Sequence, residues 1–221
     1  MPKKVGIVFV IAGTVLILSA LSLFLYNRYE DARAGQEAEN LLINMQTIIK
    51  EKENTGYSKQ EDAKPTEPTE PVESIVTDMP VIEIDGYGYV GYIAIPGLQL
   101  ELPVMSDWDY DRLKIAPCRQ FGSSRTDDLV IAAHNYKNHF GRLSQLEAGD
   151  IVVFTDMDSI EATYEVALVD TLASTEVEAV QNSGYDLVLY TCTYGGKMRV
   201  TVFCNRTDDS ITALPGENQV S

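Results

Sequence analysis

Apolar residues dominate the start of the chain. Residues 5–26 are apolar except for Thr14, Ser19 and Ser22. At the rise of an α-helix, about 22 residues cover the roughly 30 Å of a bilayer's hydrocarbon core. The pattern therefore predicts a transmembrane helix.

A cleaved signal peptide is the alternative for this run. Ala32-Arg33-Ala34 resembles a small-residue cleavage site, but it lies several residues past an apolar run that is longer than a usual signal-peptide core. We therefore favour a retained anchor. Lys3 and Lys4 precede the run, while Arg28 and Arg33 follow it, so the positive charges favour an inside N-terminus only slightly.

Two different patterns follow the apolar run. Over residues 27–52, apolar side chains recur at steps of three and four, which predicts an amphipathic helix that we interpret as a stalk or a short coiled coil. Residues 53–80 are rich in proline and acidic residues, as in KPTEPTEPVES, and favour an extended, solvated tether. The predicted organisation is a tail over 1–4, an anchor over 5–26, a stalk and tether over 27–80, and a folded domain over 81–221.

The folded domain contains short β-strand patterns separated by Gly, Pro, Asp or Asn. The runs rich in Val, Ile, Leu and Tyr are 89–95, 98–104, 129–133, 151–155, 162–170, 186–191 and 198–204. Seven or eight strands in this length predict a mainly β fold, a closed β-barrel. Two helices are expected between strands: WDYDRLKIA with Asp107 as its cap, and a segment from a Thr175 and Glu178 capping box to Gly184.

Composition narrows the class of function. The chain has 33 Asp and Glu against 17 Lys and Arg, a formal net charge of −16. Nonspecific nucleic-acid binding needs clustered positive charge, so this balance excludes that class. Three cysteines in 221 residues cannot build a disulfide framework. Each cysteine, and each of the 2 histidines, can therefore be considered individually.

Three chemically active side chains lie at the ends of predicted strands. VIAAHNY contains His134 after an apolar run, LVLYTC ends in Cys192, and KMRVTVFC carries Arg199 near its start. A tight hairpin through YGGK would bring Cys192 and Arg199 to one rim, whereas nothing local places His134 there, and we hypothesise that the barrel does. Nearby cations favour a thiolate, a histidine can protonate a leaving amine, and an arginine can stabilise an oxyanion.

The sequence VLYTC at residues 188–192 resembles the TLxTC active-site motif of sortases, with valine in place of the first threonine. The order His134, Cys192, Arg199 is also the order found in that family. The resemblance covers about residues 81–206. It implies a sortase-type β-barrel held by a single membrane-spanning helix, with the N-terminus inside and the catalytic domain on the outer face of a Gram-positive cell.

The resemblance further implies a cysteine transpeptidase. Cys192 would attack the backbone carbonyl of a C-terminal sorting motif in a secreted protein, which leaves a thioacyl enzyme, and an amine of a cell-wall precursor or a pilin would resolve it. His134 is assigned to proton transfer and Arg199 to oxyanion stabilisation or substrate positioning. Thr191 is assigned to contact with the substrate backbone, and Tyr136 is expected to line the cleft beside His134. No metal or organic cofactor is required, and no clear calcium-ligand pattern is present.

The remaining cysteines and the second histidine have structural interpretations. Cys118 and Cys204 are predicted to be buried or partly buried thiols, and a disulfide between them is the less favoured alternative. His139 lies five residues after His134, which is not a metal-binding helix spacing. We interpret it as a loop residue, with a peripheral substrate contact as the second choice.

Arg206 is the rival of Arg199 for the essential arginine. We favour Arg199 because it lies near the start of its strand, close to Cys192, whereas Arg206 lies past the far end of that strand. Trp108 and Tyr110 are expected to anchor a helix rather than to form a substrate platform.

Two other classes of function stay open. A papain-like cell-wall cysteine peptidase uses the same nucleophile, but such enzymes place Cys before His and begin a helix at the Cys, whereas here His134 comes first and Cys192 ends a strand. The third class is a noncatalytic adaptor that binds peptides, and the presence of three catalytic residue types argues against it. Within the sortases, the helix after Thr175 and the sequence TCTYGG favour a class B-like or related subclass.

Overall fold

The computed structural model describes residues 3–58 and 78–207, and the side chains of residues 6–52 and 78–207. Most of the predicted Pro-rich and acidic tether lies outside the described residues, as does the end of the chain after residue 207.

A single helix, α1 (Lys3–Ser58), contains both the apolar run and the amphipathic segment. Within the described part of the chain it is the one helix long and apolar enough to cross a bilayer. Its most apolar stretch has a mean hydropathy of 2.7, and none of that stretch is buried against the rest of the protein. The N-terminal helix therefore has the length and composition that the sequence predicts for a membrane span.

The second half of α1 packs on the folded domain. Its buried stripe consists of Ala34, Ala38, Leu42, Met45 and Ile49. Met45 and Ile49 form one apolar cluster with barrel residues that include Tyr89, Met105 and Met157. The amphipathic helix forms as predicted, but its apolar face is covered by the barrel of the same chain and not by a second helix.

The described residues form nine strands and a second short helix. They are β1 (Ile82–Ile84), β2 (Tyr87–Ile95), β3 (Leu100–Met105), β4 (Cys118–Phe121), β5 (Leu129–Ala133), β6 (Ile151–Asp156), β7 (Glu161–Ala173), α2 (Val177–Gln181), β8 (Leu187–Cys192) and β9 (Met198–Arg206). The strand order is β1-β2-β3-β4-β5-β8-β9-β7-β6, and pairing of β2 with β6 closes the sheet. Strands β2 to β9 thus form a closed eight-stranded barrel, which confirms the predicted fold class, while β1 extends β2 as a short hairpin.

Strand β5 shows how the barrel is covered. Its residues Leu129, Ile131 and Ala133 belong to the apolar cluster inside the barrel. Val130 points the other way, into a cluster with Val180 of α2 and Phe203 of β9. Because both faces are buried, the strand is a continuous apolar run rather than an alternating one, as is usual for strands in parallel pairs.

Two elements were missed by the sequence patterns. Strand β4, CRQF, lacks a run of β-branched residues, and it pairs with β3 only where Met105 lies opposite Cys118. Its longer partner is β5. Strand β1 has three residues and depends on β2 for its pairing. Neither element carries enough local signal to be predicted without its neighbour.

The predicted helix over WDYDRLKIA is wrong, because only a single 3₁₀ turn forms there, at Arg112–Lys114. Asp109, not Asp107, binds the backbone amides at the start of this turn: its Oδ1 accepts hydrogen bonds of 2.8 Å from the amides of Asp111 and Arg112. Asp107 instead accepts a hydrogen bond of 2.8 Å from the hydroxyl of Ser106. The Asp109 carboxylate binds the free amides of the turn locally, so the helix does not continue. The chain then enters β4.

Helix α2 forms where expected but is shorter. It begins after Glu176, and no side chain caps it, so the predicted capping box is wrong. Glu176 Oε2 instead accepts a hydrogen bond of 2.5 Å from the amide of Ala173, at the end of β7. Gly184 adopts a φ of 76° after the helix, a conformation that favours glycine.

Candidate active site

Strand register brings the three predicted catalytic residues to one edge of the barrel. β5 pairs in parallel with β8, with Ala133 opposite Thr191, so the next residues, His134 and Cys192, follow at the same edge. β8 pairs in an antiparallel manner with β9, with Cys192 directly opposite Arg199. We call this edge, with its loop 134–141 and hairpin 193–197, the catalytic rim.

The hairpin between β8 and β9 fixes Arg199. Gly195 and Gly196 have φ values of 90° and 71°, which side chains with a Cβ rarely adopt, so the tight turn requires glycine. Nη1 of Arg199 donates to the carbonyls of Gly196 and Met198, at 3.0 and 3.2 Å. These bonds hold the guanidinium at the base of the hairpin, next to the strand position of Cys192.

His134 is held by its two following residues. The backbone amide of Asn135 lies 2.9 Å from His134 Nδ1, and Asn135 Oδ1 lies 3.0 Å from the same nitrogen. Nδ1 therefore accepts from the amide when it is bare and donates to Oδ1 when it carries a proton. The imidazole also stacks on the ring of Tyr136, with centroids 4.2 Å apart and planes 4° apart. Since Nδ1 is occupied in either state, Nε2 is the nitrogen left for proton transfer.

The rest of loop 134–141 is anchored in the core. The amides of His139 and Gly141 donate to the carbonyl of Tyr136, at 3.0 and 2.9 Å. Phe140 is fully buried inside the barrel. His139 is fully buried too, and burial lowers its pKa to about 4, so it is neutral at physiological pH. His139 is a loop residue as predicted, and its burial argues against the alternative of a peripheral substrate contact.

The three thiols differ in access. Cys118 and Cys204 are fully buried, and burial raises the pKa of each to about 12. All three cysteines are free, so the alternative disulfide between Cys118 and Cys204 does not form. Cys192 is the partly exposed thiol. It is therefore the one cysteine that a substrate in solution can reach.

Thr191 joins two strands. Its side chain is buried, and its hydroxyl donates to the carbonyl of Ala133 on β5, at 2.9 Å. This bond helps to hold the strand ends that precede His134 and Cys192. The predicted contact between Thr191 and the substrate backbone stays a prediction, as does that of Tyr136, whose ring is half-buried beside His134.

A groove runs along the outer face of the sheet below Arg199. A cavity of about 210 Å³ is lined by Arg199, Tyr190, Trp108, Tyr110, Gln120 and residues of α2 and its approach. A second cavity, of about 720 Å³, also has Trp108 and Gln120 among its lining residues, so the two adjoin along β4. Tyr190 donates a short hydrogen bond to Gln120 across the floor of this groove, and burial raises the pKa of its hydroxyl.

The two aromatic residues after β3 were misassigned from sequence. Trp108 and Tyr110 lie in irregular chain before the 3₁₀ turn, with ring centroids 5.1 Å apart. Tyr110 is 71% exposed, and both rings line the cavity that contains Arg199. They are therefore groove residues rather than anchors of a helix. Their sequence gives no signal for this, because the groove depends on α2, which is distant in the chain.

Arg206 lies at the opposite end of β9 from the catalytic rim. Its Nη1 donates to the carbonyl of Ser124 at 2.6 Å and forms an ion pair with Asp127 at 2.8 Å. Arg206 thus links the end of β9 to the segment before β5. This position supports the choice of Arg199 as the arginine beside Cys192. Among the described residues, no group of three or more His, Cys, Asp or Glu side chains is placed to hold a metal ion.

The described strands form a closed eight-stranded barrel that carries a cysteine, a histidine and an arginine at one rim. The model of the Sortase domain family matches residues 93–207, just over half of the chain, and includes all three residues. The chain belongs to the sortase family.

Solved structures have the same fold. The Clostridium perfringens sortase D5 transpeptidase matches with a TM-score of 0.55 at 16% identity, over 78% of this chain and 99% of that one. A Streptococcus pneumoniae sortase C matches with a TM-score of 0.52 at 20% identity, over 76% of this chain and 97% of that one. No curated protein matches in sequence. At these identities the likeness shows the fold, and the subclass stays a prediction.

Proposed function

We propose that this chain is a membrane-anchored cysteine transpeptidase that cleaves a C-terminal sorting motif and joins the acyl product to an amine. The observation that carries the proposal is the strand register, with Cys192 opposite Arg199 and one strand away from the residue before His134. Membership of the sortase family agrees with it.

The chemistry takes two steps. Cys192 Sγ, as thiolate, attacks the scissile carbonyl, and Arg199 donates to the oxyanion that develops. The peptide C–N bond breaks, and His134 Nε2 gives its proton to the leaving amine while Nδ1 keeps its own on Asn135 Oδ1. An acceptor amine then attacks the thioester and loses a proton to Nε2. The new C–N bond forms, the C–S bond breaks, and the thiolate and imidazolium are restored.

The groove supports a peptide substrate. The cavity beside Arg199 is small, open and lined by the rings of Tyr190, Trp108 and Tyr110, which suits the short apolar side chains of an extended peptide. The substrates are secreted proteins with a C-terminal sorting signal, and the acceptor is an amine of a peptidoglycan precursor or a pilin. The S. pneumoniae sortase C is described with a pilin substrate specificity, and the C. perfringens D5 enzyme is described as a transpeptidase.

The apolar N-terminal helix supports anchoring. Residues 5–26 would cross the bilayer once, with the N-terminus inside and the barrel outside the cell. The division into an anchor, a stalk and tether over 27–80, and a catalytic domain over 81–221 belongs to the same proposal.

The test uses the full chain in detergent micelles, a panel of sorting-motif peptides and an amine acceptor. We expect an amine-capped product and, by mass spectrometry, an acyl group trapped on Cys192. Cys192→Ala should give neither, whereas the matched control Cys204→Ala removes a buried thiol and should retain both. If wild type and Cys192→Ala behave identically across the panel, the proposal is wrong.

Cleavage without transfer to the amine would instead favour a cysteine peptidase. The end of β8 at Cys192 argues against the papain-like kind, because those enzymes begin a helix at the nucleophile. Peptide binding without any acyl group on Cys192 would favour a noncatalytic adaptor.

A further inference from the structure

Helix α1 runs along the barrel from its catalytic rim to its opposite end. Near its middle, Asp31 meets loop 134–141: the amide of Asn138 donates to Asp31 Oδ1, and Asn138 Nδ2 donates to the Asp31 carbonyl, both at 3.2 Å. Near its C-terminal end, Lys52 Nζ donates to the carbonyl of Met157 at 3.3 Å and pairs with Asp158 at 3.4 Å. Twenty-one residues separate Asp31 from Lys52, about 31 Å of helix.

Asp158 identifies the second end as the one opposite the catalytic rim. Arg125 Nη2 forms an ion pair with Asp158 at 2.9 Å, and Arg125 lies before β5, whereas His134 follows β5. The part of α1 that contacts the rim is therefore the part nearest to the apolar run. The barrel consequently has a fixed polarity along α1, with the catalytic rim toward the N-terminal half of the helix.

The distance from the apolar run to the rim is short. Tyr26 ends the run and Asp31 follows five residues later, about 7.5 Å along the helix. The polar headgroup layer on each side of a bilayer is about 5 to 7.5 Å thick. α1 contains neither proline nor glycine between these residues, so it continues without a break from one to the other.

The surface of the rim suits this position. Tyr194, at the tip of hairpin 193–197, is 96% exposed. Lys137 and Lys197 are exposed, and neither forms an ion pair with another described residue. Tyrosine and lysine side chains of this kind are enriched where membrane proteins meet lipid headgroups, because each combines an apolar part with a polar end.

We propose that the catalytic rim docks on the headgroup layer of the bilayer that holds α1, with the tip of hairpin 193–197 in contact with lipid. This inference rests on the anchoring in the proposed function. A sorting signal whose following segment is still in this membrane would then reach Cys192 at the level at which it leaves the bilayer.

The test measures the depth of Cys192 in vesicles. The full chain is reconstituted into phosphatidylcholine vesicles that contain a lipid with a nitroxide on its headgroup, and Cys192 is labelled with a fluorophore. The buried Cys118 and Cys204 do not compete for the label. The control is Ile160→Cys in a Cys192→Ala background, since Ile160 is an exposed residue between β6 and β7, at the end near Asp158. We expect several-fold stronger quenching at residue 192 than at residue 160, and equal or reversed quenching overturns the proposal.

A second variant changes the distance between the apolar run and the barrel. Insertion of the helical segment EAAAKEA between Tyr26 and Asn27 adds about 10 Å and nearly two full turns, so the barrel keeps its orientation but lies farther from the lipid. Quenching at Cys192 should fall several-fold, and so should turnover of a membrane-held substrate, whereas turnover of a soluble peptide should not change. Unchanged quenching overturns the proposal.

These results separate the inference from the proposed function. A chain that an alkaline wash removes from the vesicles would contradict the anchor and this inference together. A retained chain with strong quenching at Cys192 but no product from any peptide would contradict the transpeptidase and leave the position of the rim in place.

Discussion

At the scale of single residues, β9 carries two arginines with different surroundings. Arg199 lies opposite Cys192 and bonds to two carbonyls of its own hairpin. Arg206 bonds to Ser124 and Asp127 at the other end of the strand. The first arrangement presents a guanidinium to the rim, and the second joins two segments of the fold.

Substitution of each arginine should separate these roles. Arg199→Ala removes donors to a developing oxyanion, and we expect kcat/KM for a sorting-motif peptide to fall by about 10²- to 10³-fold with the melting temperature nearly unchanged. Arg206→Ala should lower the melting temperature and, in the protein that stays folded, leave kcat/KM within a few-fold of wild type. A larger loss of activity in Arg206→Ala than in Arg199→Ala would contradict this assignment.

His139 makes stability depend on pH. Its pKa of about 4 in the folded protein lies below the value of about 6.5 for an exposed histidine, so the unfolded chain takes up a proton first as the pH falls. The contribution of His139 to the free energy of unfolding changes little above pH 6.5. Between pH 6.5 and pH 5, about 2 kcal/mol of stability should be lost. Urea unfolding at pH 7.5 and pH 5 should show a smaller loss in His139→Leu than in wild type. Equal losses would mean that His139 is not the responsible group.

How far the sequence predicts this site depends on the distance along the chain between its residues. Cys192 and Arg199 could be related from sequence because a short glycine hairpin joins them. His134 could not be placed, because its position depends on the parallel pairing of β5 with β8, and the bond from Thr191 to Ala133 spans 58 residues. Parallel strands are not joined by a tight turn, so the local sequence does not indicate which strands pair.

At the scale of elements, the contact between α1 and loop 134–141 is close. A Cβ on Gly35 would lie 2.7 Å from Asn138 Nδ2 and 3.0 Å from Asn138 Cβ, so any larger residue at this position would force the Asn138 side chain to shift. Since the same loop carries His134, the packing of α1 affects the catalytic rim directly.

Gly35→Ala tests this coupling. Alanine favours a helix by about 1 kcal/mol over glycine, so a helix with no neighbour would gain stability. Here we expect the overlap with Asn138 to displace the loop and to lower kcat/KM for a soluble peptide several-fold. The matched control is Gly13→Ala in the same helix, where a Cβ meets nothing within 4 Å and activity should not change. Full activity in Gly35→Ala would show that the loop does not depend on α1.

Some helices and strands were predicted correctly from the sequence and others were not, because their local signals differ in strength. The long apolar runs of β5, β8 and β9 are strong signals because a buried strand must be apolar. The segment after β3 has the composition of a helix, but it forms a single 3₁₀ turn, where Asp109 Oδ1 accepts from the amides of Asp111 and Arg112. The apolar stripe of α1 was correctly assigned to an amphipathic helix. The stripe alone does not show which surface packs against it.

At the scale of the whole molecule, α1 belongs to the folded domain. Met45 and Ile49 complete an apolar cluster that includes Tyr89, Met105 and Met157 of the barrel. Removal of the helix would expose this surface to water. The segment after the apolar run is thus a structural part of the folded domain.

Two truncations should therefore differ in stability. A chain that begins at residue 27 keeps the packed half of α1, and one that begins at residue 78 loses it. Burial of each large apolar side chain contributes about 1.5 to 3 kcal/mol, so loss of the stripe should remove on the order of 5 kcal/mol, a large part of a typical domain's stability. We expect a lower urea midpoint and binding of a hydrophobic dye for the shorter chain. Equal midpoints would show that the barrel does not need α1.

The parallel pairing of β5 with β8 also determines when the predicted active site is assembled. Cys192 and His134 reach the same edge only after segments 58 residues apart have met. Contacts of such long range form late and are lost with global unfolding rather than with local fraying. Before that pairing, we expect Cys192 to have no histidine to assist it. Its reactivity would begin only when the barrel closes, so acylation of Cys192 reports completed folding.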